Sequence, residues 1–230
     1  MAVAYVSDVS AADVTDTAAI LTLSSVVGSG GNLLIVGVTW RADAGETIVS
    51  VLYGLASCTL LVDGVSDEAA GALYYLVNPA STADVVVTFS GNTRSQGTAT
   101  VLSGANTGAP FTDSDEGTSG AGTSVSLTLT TATGELLVDV LSKRGPNEAI
   151  TIGADQTEQS AQSSGGASLL HRTSTQDGAS GGVMSWTWTT AANAYYAAAS
   201  VAAAAGGSPV GPLEAGKLIG FGILGGRLVN

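Results

Sequence analysis

The nine residues Gly31-Asn32-Leu33-Leu34-Ile35-Val36-Gly37-Val38-Thr39 are matched in length and pattern by Gly134-Glu135-Leu136-Leu137-Val138-Asp139-Val140-Leu141-Ser142. The correspondence continues downstream. Ile48–Tyr53 answers to Ile150–Ala154, Gly71–Tyr75 to Gly166–Leu170, Val85–Phe89 to Val183–Thr187 and Thr98–Gly104 to Tyr196–Ala202, at a separation that stays near one hundred residues. A repeat at constant offset is the signature of one supersecondary unit used twice. The copies span about residues 31–105 and 134–206, five strands each, and the Gly/Ser/Thr-rich stretch Asn106–Thr123 joins them.

Each copy reads as β-structure. Short alternating or β-branched runs bounded by Gly, Asn, Asp and Pro recur along the chain: Ala2–Val6, Ala19–Ser25, Asn32–Trp40, Ile48–Tyr53, Cys58–Val62, Ala70–Val77, Asp84–Ser90, Thr98–Gly104 and Ser124–Thr130. The second half adds Glu135–Ser142, Ala149–Gly153, Thr157–Gln162, Ala167–Thr173, Val183–Thr189 and Ala194–Ala203. Strands this short and this closely spaced are those of all-β sandwiches and barrels. Ala197–Ala205 has the best helix propensity, but Tyr195, Tyr196 and Val201 beside it suit a buried strand of small residues. The expected fold is all-β: a single jelly-roll-like sandwich over residues 1–206, with each half supplying strands to both sheets. Two tandem sandwiches of about 110 residues are the alternative; neither half shows the Trp and Cys framework of an immunoglobulin core.

The chain has 230 residues, long enough for a large core held without disulfide or metal. Its one cysteine, Cys58, excludes an internal bridge and a zinc cluster. A net charge of -12 with only 7 Lys+Arg argues against nucleic acid as a partner, because phosphate binding needs clustered cations. Charged residues make up 11% of the chain against about 25% in an average domain. Ser and Thr, 26 each, together double the charged count, a surface suited to strands and to life outside cells. No cationic leader opens the sequence, since Arg41 is the first positive charge. That pairing of an extracellular surface with no legible export signal fits a virion protein released by lysis. No apolar run reaches the roughly twenty residues a membrane span requires.

The runs Gly31–Val38, Ala72-Leu73-Tyr74-Tyr75-Leu76-Val77-Asn78-Pro79, Asp84–Gly91 and Val101-Leu102-Ser103-Gly104-Ala105-Asn106-Thr107-Gly108-Ala109-Pro110-Phe111 resemble a family of β-sandwich modules found in phage virion proteins and bacterial surface proteins. Gly134–Val140 and Val183–Trp188 look like its second half, so the resemblance covers about residues 15–205. It implies a structural or adhesive module, with no catalytic residues to carry over.

Motifs of chemistry mostly dissolve on inspection. Gly178-Ala179-Ser180-Gly181-Gly182 matches the nucleophile elbow, with His171 the only imidazole to serve Ser180, but it lies between two strands where an elbow needs a strand and then a helix. Gly220–Gly225 fits a dinucleotide fingerprint with no room for the helix that must receive the pyrophosphate. Asp113-Ser114-Asp115-Glu116 and Asp63–Glu68 carry hard oxygen ligands of the kind calcium takes, yet neither completes a binding loop. No cofactor, metal site or catalytic residue is expected. Trp186 and Trp188, two apart, share one strand face. Exposed, they would form a glycan-stacking platform; turned inward, they would be core, as Val87 and Phe89 at the equivalent positions suggest.

After Ala205 comes a linker-like Gly206-Gly207-Ser208-Pro209-Val210-Gly211-Pro212, and then an apolar, glycine-rich segment to Asn230. Residues 207–230 read as an interaction arm, with Leu218, Ile219, Phe221, Ile223 and Leu224 as apolar anchors and Arg227 meeting an acidic or carbonyl-lined site. Such an arm can add a strand to a neighbour's sheet or close the edge of its own. Together these features point to a non-enzymatic phage virion protein, a capsid cement or decoration protein on the capsid surface. Its partner would be the major capsid protein or another virion protein, and the resemblance implies self-association, a trimer among the options. A tail or fibre module, or a surface carbohydrate-binding module, is the alternative.

Overall fold

The computed structural model describes residues 1–13, 17–164, 169–178 and 182–205, and every regular element among them is a β-strand. The first half contains β1 (Ala4–Asp13), β2 (Ile20–Val26), β3 (Leu33–Arg41), β4 (Ile48–Tyr53), β5 (Ala56–Ser57), β6 (Thr59–Ser66), β7 (Ala69–Val77), β8 (Ala83–Phe89) and β9 (Ser95–Ser103). The second contains β10 (Phe111–Thr128), β11 (Leu136–Lys143), β12 (Thr151–Ile152), β13 (Gln156–Ser164), β14 (Leu169–Asp177) and β15 (Val183–Val201). The all-β, sandwich-like character expected from the sequence is therefore present.

Pairing is antiparallel and forms three sheets, ordered β1-β9-β3-β7-β6, β2-β8-β4-β5 and β10-β15-β11-β14-β13, with β12 added beside β15. Their packing follows from which strands are apolar on one face and which on both. In β2 and β8 buried and exposed positions alternate, so these strands form an outer layer with one wet face. In β3, β9 and β11 nearly every residue is buried, which requires cover on both faces. The β1-β9-β3-β7-β6 sheet and the β10-β15-β11-β14-β13 sheet supply that cover to each other, β1 lying over β13, β9 over β14, β3 over β11, β7 over β15 and β6 over β10.

Three apolar clusters result. Leu21, Leu23, Val36, Val38, Trp40, Val87 and Phe89 fill the space between the first two sheets. Leu33, Ile35, Leu73, Val138, Val140, Tyr195 and Ala197 fill the space between these two stacked sheets. Leu127, Leu137, Leu141, Met184, Trp186, Trp188 and Tyr196 fill the third, inside the second half. That third space exists because β10 and β15 bend: their ladder shifts register between Ser119, Gly122 and Ser124, and Ala121 has a φ of 51°. Bulges of this kind curl a sheet back over itself.

Three sequence expectations are corrected by the strand assignment and pairing. The halves do not share sheets: β1–β9 build two sheets among themselves and β10–β15 build the third, leaving only the bridge Ala105↔Ala203 between halves among the described residues. Strands neighbouring in sequence pair preferentially, and doubly apolar strands are satisfied by stacking sheets rather than mixing them. Nor is Asn106–Thr123 only a connection, because Phe111–Ser119 pairs with Ala194–Val201. A sheet-edge strand with one exposed side needs main-chain bonds more than apolar side chains, so its Gly, Ser and Asp content concealed it. Val183–Thr189 and Ala194–Ala203, read as two strands, are one continuous β15.

Glycine sets the spacing where β15 crosses the first half. Gly64 and Gly71 are cross-strand partners on β6 and β7, and the Tyr195 ring lies against both. A Cβ added at Gly71 would sit 2.6 Å from Tyr195 Cδ1, and one at Gly64 would sit 2.5 Å from Cε2. Gly71→Val is expected to lower unfolding free energy by about 1–3 kcal/mol in urea denaturation, through overpacking. Gly120→Ala, where an added methyl meets nothing within 4 Å, should leave it nearly unchanged.

Candidate functional site

Alternation along β11 sends Val138 and Val140 toward the first half and Leu137, Asp139 and Leu141 into the third cluster. Asp139 is thus a carboxylate inside a core, only 2% exposed, at the position that Val36 occupies in the first cluster. Burying such a group is costly unless donors surround it. Oδ2 accepts from Trp186 Nε1 at 2.8 Å, Tyr196 OH at 2.8 Å, Ser174 Oγ at 2.8 Å and Gln156 Nε2 at 3.3 Å, while Oδ1 accepts from the Ser174 backbone N–H at 2.5 Å. Strands β13, β14 and β15 all contribute.

Gln156 extends the cluster. Its Nε2 lies 2.7 Å from Ser174 Oγ, and its Oε1 accepts the Ser185 N–H at 2.8 Å. A hydroxyl, a carboxylate, a carboxamide and an N–H aimed at the carboxamide oxygen therefore converge out of solvent, with Ser174 1% and Gln156 8% exposed. Burial raises the Asp139 carboxyl from the ordinary 3.8 to about 7, against the opposing pull of its bonds from Tyr196, Ser174 and Trp186. Burial, and then Asp139 itself, push the Tyr196 phenol well above its usual value.

Two further polar centres are structural in geometry. His171 is fully buried between the stacked sheets, Nδ1 at 3.2 Å from Thr39 Oγ1 and Nε2 at 2.9 Å from Thr98 Oγ1. Burial, with Arg172 adjacent, pushes it down to about 3, so it stays neutral. Lys143, fully buried, places Nζ 2.9 Å from Glu148 Oε1 and 5.8 Å from the centre of the Trp188 ring. The other Glu148 oxygen accepts from the Thr189 hydroxyl and from the backbone N–H groups of Thr189 and Thr190. The Thr189 bond and the Lys143 ammonium hold Glu148 down at about 2.

The residues singled out by sequence fare unevenly. Trp186 is 0% and Trp188 6% exposed, with their N–H groups committed to Asp139 and to the Gly122 carbonyl. A glycan platform needs open ring faces, so these two indoles do not form one; they are core. Ser180 lies outside the described residues, as do Leu218, Ile219, Phe221, Ile223, Leu224 and Arg227. Three of the carboxylates in the two acidic runs are engaged within the protein: Asp113 accepts from Ser114 N and Thr130 N, Asp67 from Asn193 Nδ2, and Glu68 pairs with Arg144. Among the described residues no group of three or more His, Cys, Asp or Glu is placed to hold a metal. The Asp139 cluster was not anticipated, although a signal existed: an aspartate in an apolar strand where the matching strand carries valine.

The two carboxylates should respond to pH with opposite sign. Unfolded, Asp139 ionises near 3.8, and folded it keeps its proton to about 7. The stability it contributes is full below about pH 4 and is lost as pH rises to about 7. Urea unfolding over that range should show the gap between wild type and Asp139→Asn narrowing as pH increases. Glu148, ordinarily ionising near 4.5 and here near 2, contributes stability above 4.5 that is lost on acidification. The penalty of Glu148→Gln should accordingly shrink as pH falls from about 5 to 2.

Comparison with protein-family models, curated proteins and solved structures finds no match to this chain.

Proposed function

We propose that this chain is a structural protein of a phage virion, a capsid cement or decoration protein whose stacked sheets form a rigid body and whose residues 206–230 tie it to a capsid subunit. The supporting observation is how the body is tied off where that segment begins. Ala204 N donates to Gly104 O at 2.8 Å, Ala202 N to Pro110 O at 2.9 Å, and the Met1 ammonium to Ala204 O at 3.2 Å. The first residues, the junction between halves and the root of the arm thus meet at one end of the body. An apolar arm rooted in a fixed frame loses less entropy on docking than one rooted in a loop. Leu218, Ile219, Phe221, Ile223 and Leu224 would supply apolar burial, and Arg227 a charge for an acidic or carbonyl-lined site. Self-association of the body, as a trimer or another small oligomer, belongs to the same reading.

The proposal includes the finer architecture. β1-β9-β3-β7 facing β2-β8-β4-β5 follows the strand order of two Greek keys rolled into a jelly roll, with β6 added at one edge. β10, β15, β11, β14 and β13 take the sheet positions of β1, β9, β3, β7 and β6. Duplication of one jelly-roll unit accounts for both the constant sequence offset and this order.

The test is co-sedimentation of the purified chain, whole and truncated after Ala205, with capsids that lack it. Saturable binding by the whole chain, lost on truncation, is the expected result. Failure of both forms to bind heads would overturn the cement reading, and binding to tails alone would move the protein to a tail or fibre role.

A further inference from the structure

We propose that Ser174 and Gln156 form an intramolecular ester, made by the folded protein itself with Asp139 as base, which staples β13 to β14. The four requirements of an acyl transfer are present at one buried point. Ser174 Oγ, the nucleophile, donates to Asp139 Oδ2 at 2.8 Å. The electrophile is Cδ of Gln156, one bond beyond Nε2, which donates a hydrogen bond to that oxygen at 2.7 Å and so holds the carboxamide beside it. Asp139 Oδ2 touches both the hydroxyl and the leaving nitrogen, at 2.8 and 3.3 Å, so one carboxylate can accept a proton from the first and return it to the second. The Ser185 N–H, 2.8 Å from Gln156 Oε1, faces the oxygen on which negative charge develops.

The step balances without oxidant, metal or water. Asp139 removes the Ser174 hydroxyl proton as Oγ attacks Cδ, giving a tetrahedral centre whose oxyanion is held by Ser185 N–H. Collapse breaks Cδ–Nε2, the nitrogen takes the proton back from Asp139, and ammonia leaves. The product is an Oγ–Cδ ester with the carboxylate restored. An amide is ordinarily the more stable partner in such an exchange. Here the groups are fixed in contact by the fold, an advantage worth many orders of magnitude in effective concentration, and ammonia is lost to solvent as ammonium. Exclusion of water protects the ester once made. A carboxyl raised by burial toward neutrality suits a group that must both take and return a proton. Trp186 and Tyr196 donate to the same Oδ2 and fix its position.

The bond would close the chain between Gln156 at the start of β13 and Ser174 within β14. β13 is the edge of its sheet, the place where strands fray or pair with strangers.

Intact-mass measurement of the full chain after prolonged incubation at neutral pH decides it. The expected result is a mass lower than the sequence mass by one ammonia, allowing for removal of Met1. Digestion should yield a single species joining the Gln156 and Ser174 peptides, split by alkaline hydroxylamine into a Gln156 hydroxamate and a free serine. Ser174→Ala should show the full mass while keeping wild-type tryptophan emission, which confirms that it is folded, and Asp139→Ala should also show the full mass. A folded wild-type chain at full mass would overturn the proposal, as would an ammonia loss that persists in Ser174→Ala.

Discussion

Everything in this molecule is conditioned by the contact between a five-stranded and a six-stranded sheet that bury their faces in each other. Each sheet is then covered on both sides, by an outer layer and by its counterpart, and strands such as β3 and β11 must be apolar at successive rather than alternate positions. The approach is close because the side chains between the sheets are small where the strands cross. Gly37 sits opposite Val140, where an added Cβ would be 3.4 Å from its side chain, and Ala197 and Ala199 line β15. Polar groups fully buried in this plane must find partners across it. His171 does so through Thr39 and Thr98, and Gln96 Nε2 through Leu169 O at 3.1 Å; toward the margin the half-buried Gln162 Nε2 donates to Gly97 O at 3.2 Å and the exposed Ser10 pairs with Ser160 at 2.8 Å. These bonds give the apolar contact a register, since sliding one sheet by a residue would leave several buried groups unpaired.

At matching strand positions the two halves use different chemistry. Val36 packs among aliphatic and aromatic neighbours in the first core, where Asp139 in the other core gathers Trp186, Tyr196, Ser174 and Gln156. Arg41, the last residue of β3, and Arg144, just after β11, converge on one carboxylate, Asp43, with Glu68 as a further partner of Arg144. One half thus relies on shape, the other on shape plus a dense hydrogen-bonded network. A network of that kind is stabilising only while every member is satisfied, so the second core is the less tolerant of substitution.

How much of this could be read from the chain follows the same physics. Strands with a buried face were legible because burial demands apolar residues: Asn32–Trp40, Asp84–Ser90 and Glu135–Ser142 fall within a residue or so of β3, β8 and β11. β10 was hidden because an edge strand draws on main-chain bonds, and its half-buried Asp113 and exposed Asp115 and Glu116 look like a loop. Sheet membership was hidden for another reason: an apolar strand states that both its faces are covered and is silent about what covers them. Continuous burial in β3 and β11 would suit one shared sandwich or two stacked ones equally, and only the pairing separates them. The Trp186 and Trp188 spacing likewise placed both rings on one face without saying which way it turned, a question settled by the buried acceptor at Asp139.

The way β15 differs from its counterparts gives the second half its particular character. In the first half the outer and inner sheets are reached by separate strands, β8 and β9, with Ser90–Arg94 turning between them. In the second, nineteen residues run without interruption from Val183 to Val201. Met184, Trp186 and Trp188 enter the third cluster from one end of this strand, and Tyr196 and Ala198 enter it from the other. Tyr195, Ala197, Ala199 and Val201 turn the opposite way, into the contact between halves. One strand therefore belongs to two cores and pairs with β10, β11 and β12. A shift of register in β15 would disturb the Asp139 network and the seat of Tyr195 on Gly64 and Gly71 together. The folded state of the second half and its hold on the first are, for that reason, a single cooperative property of this strand.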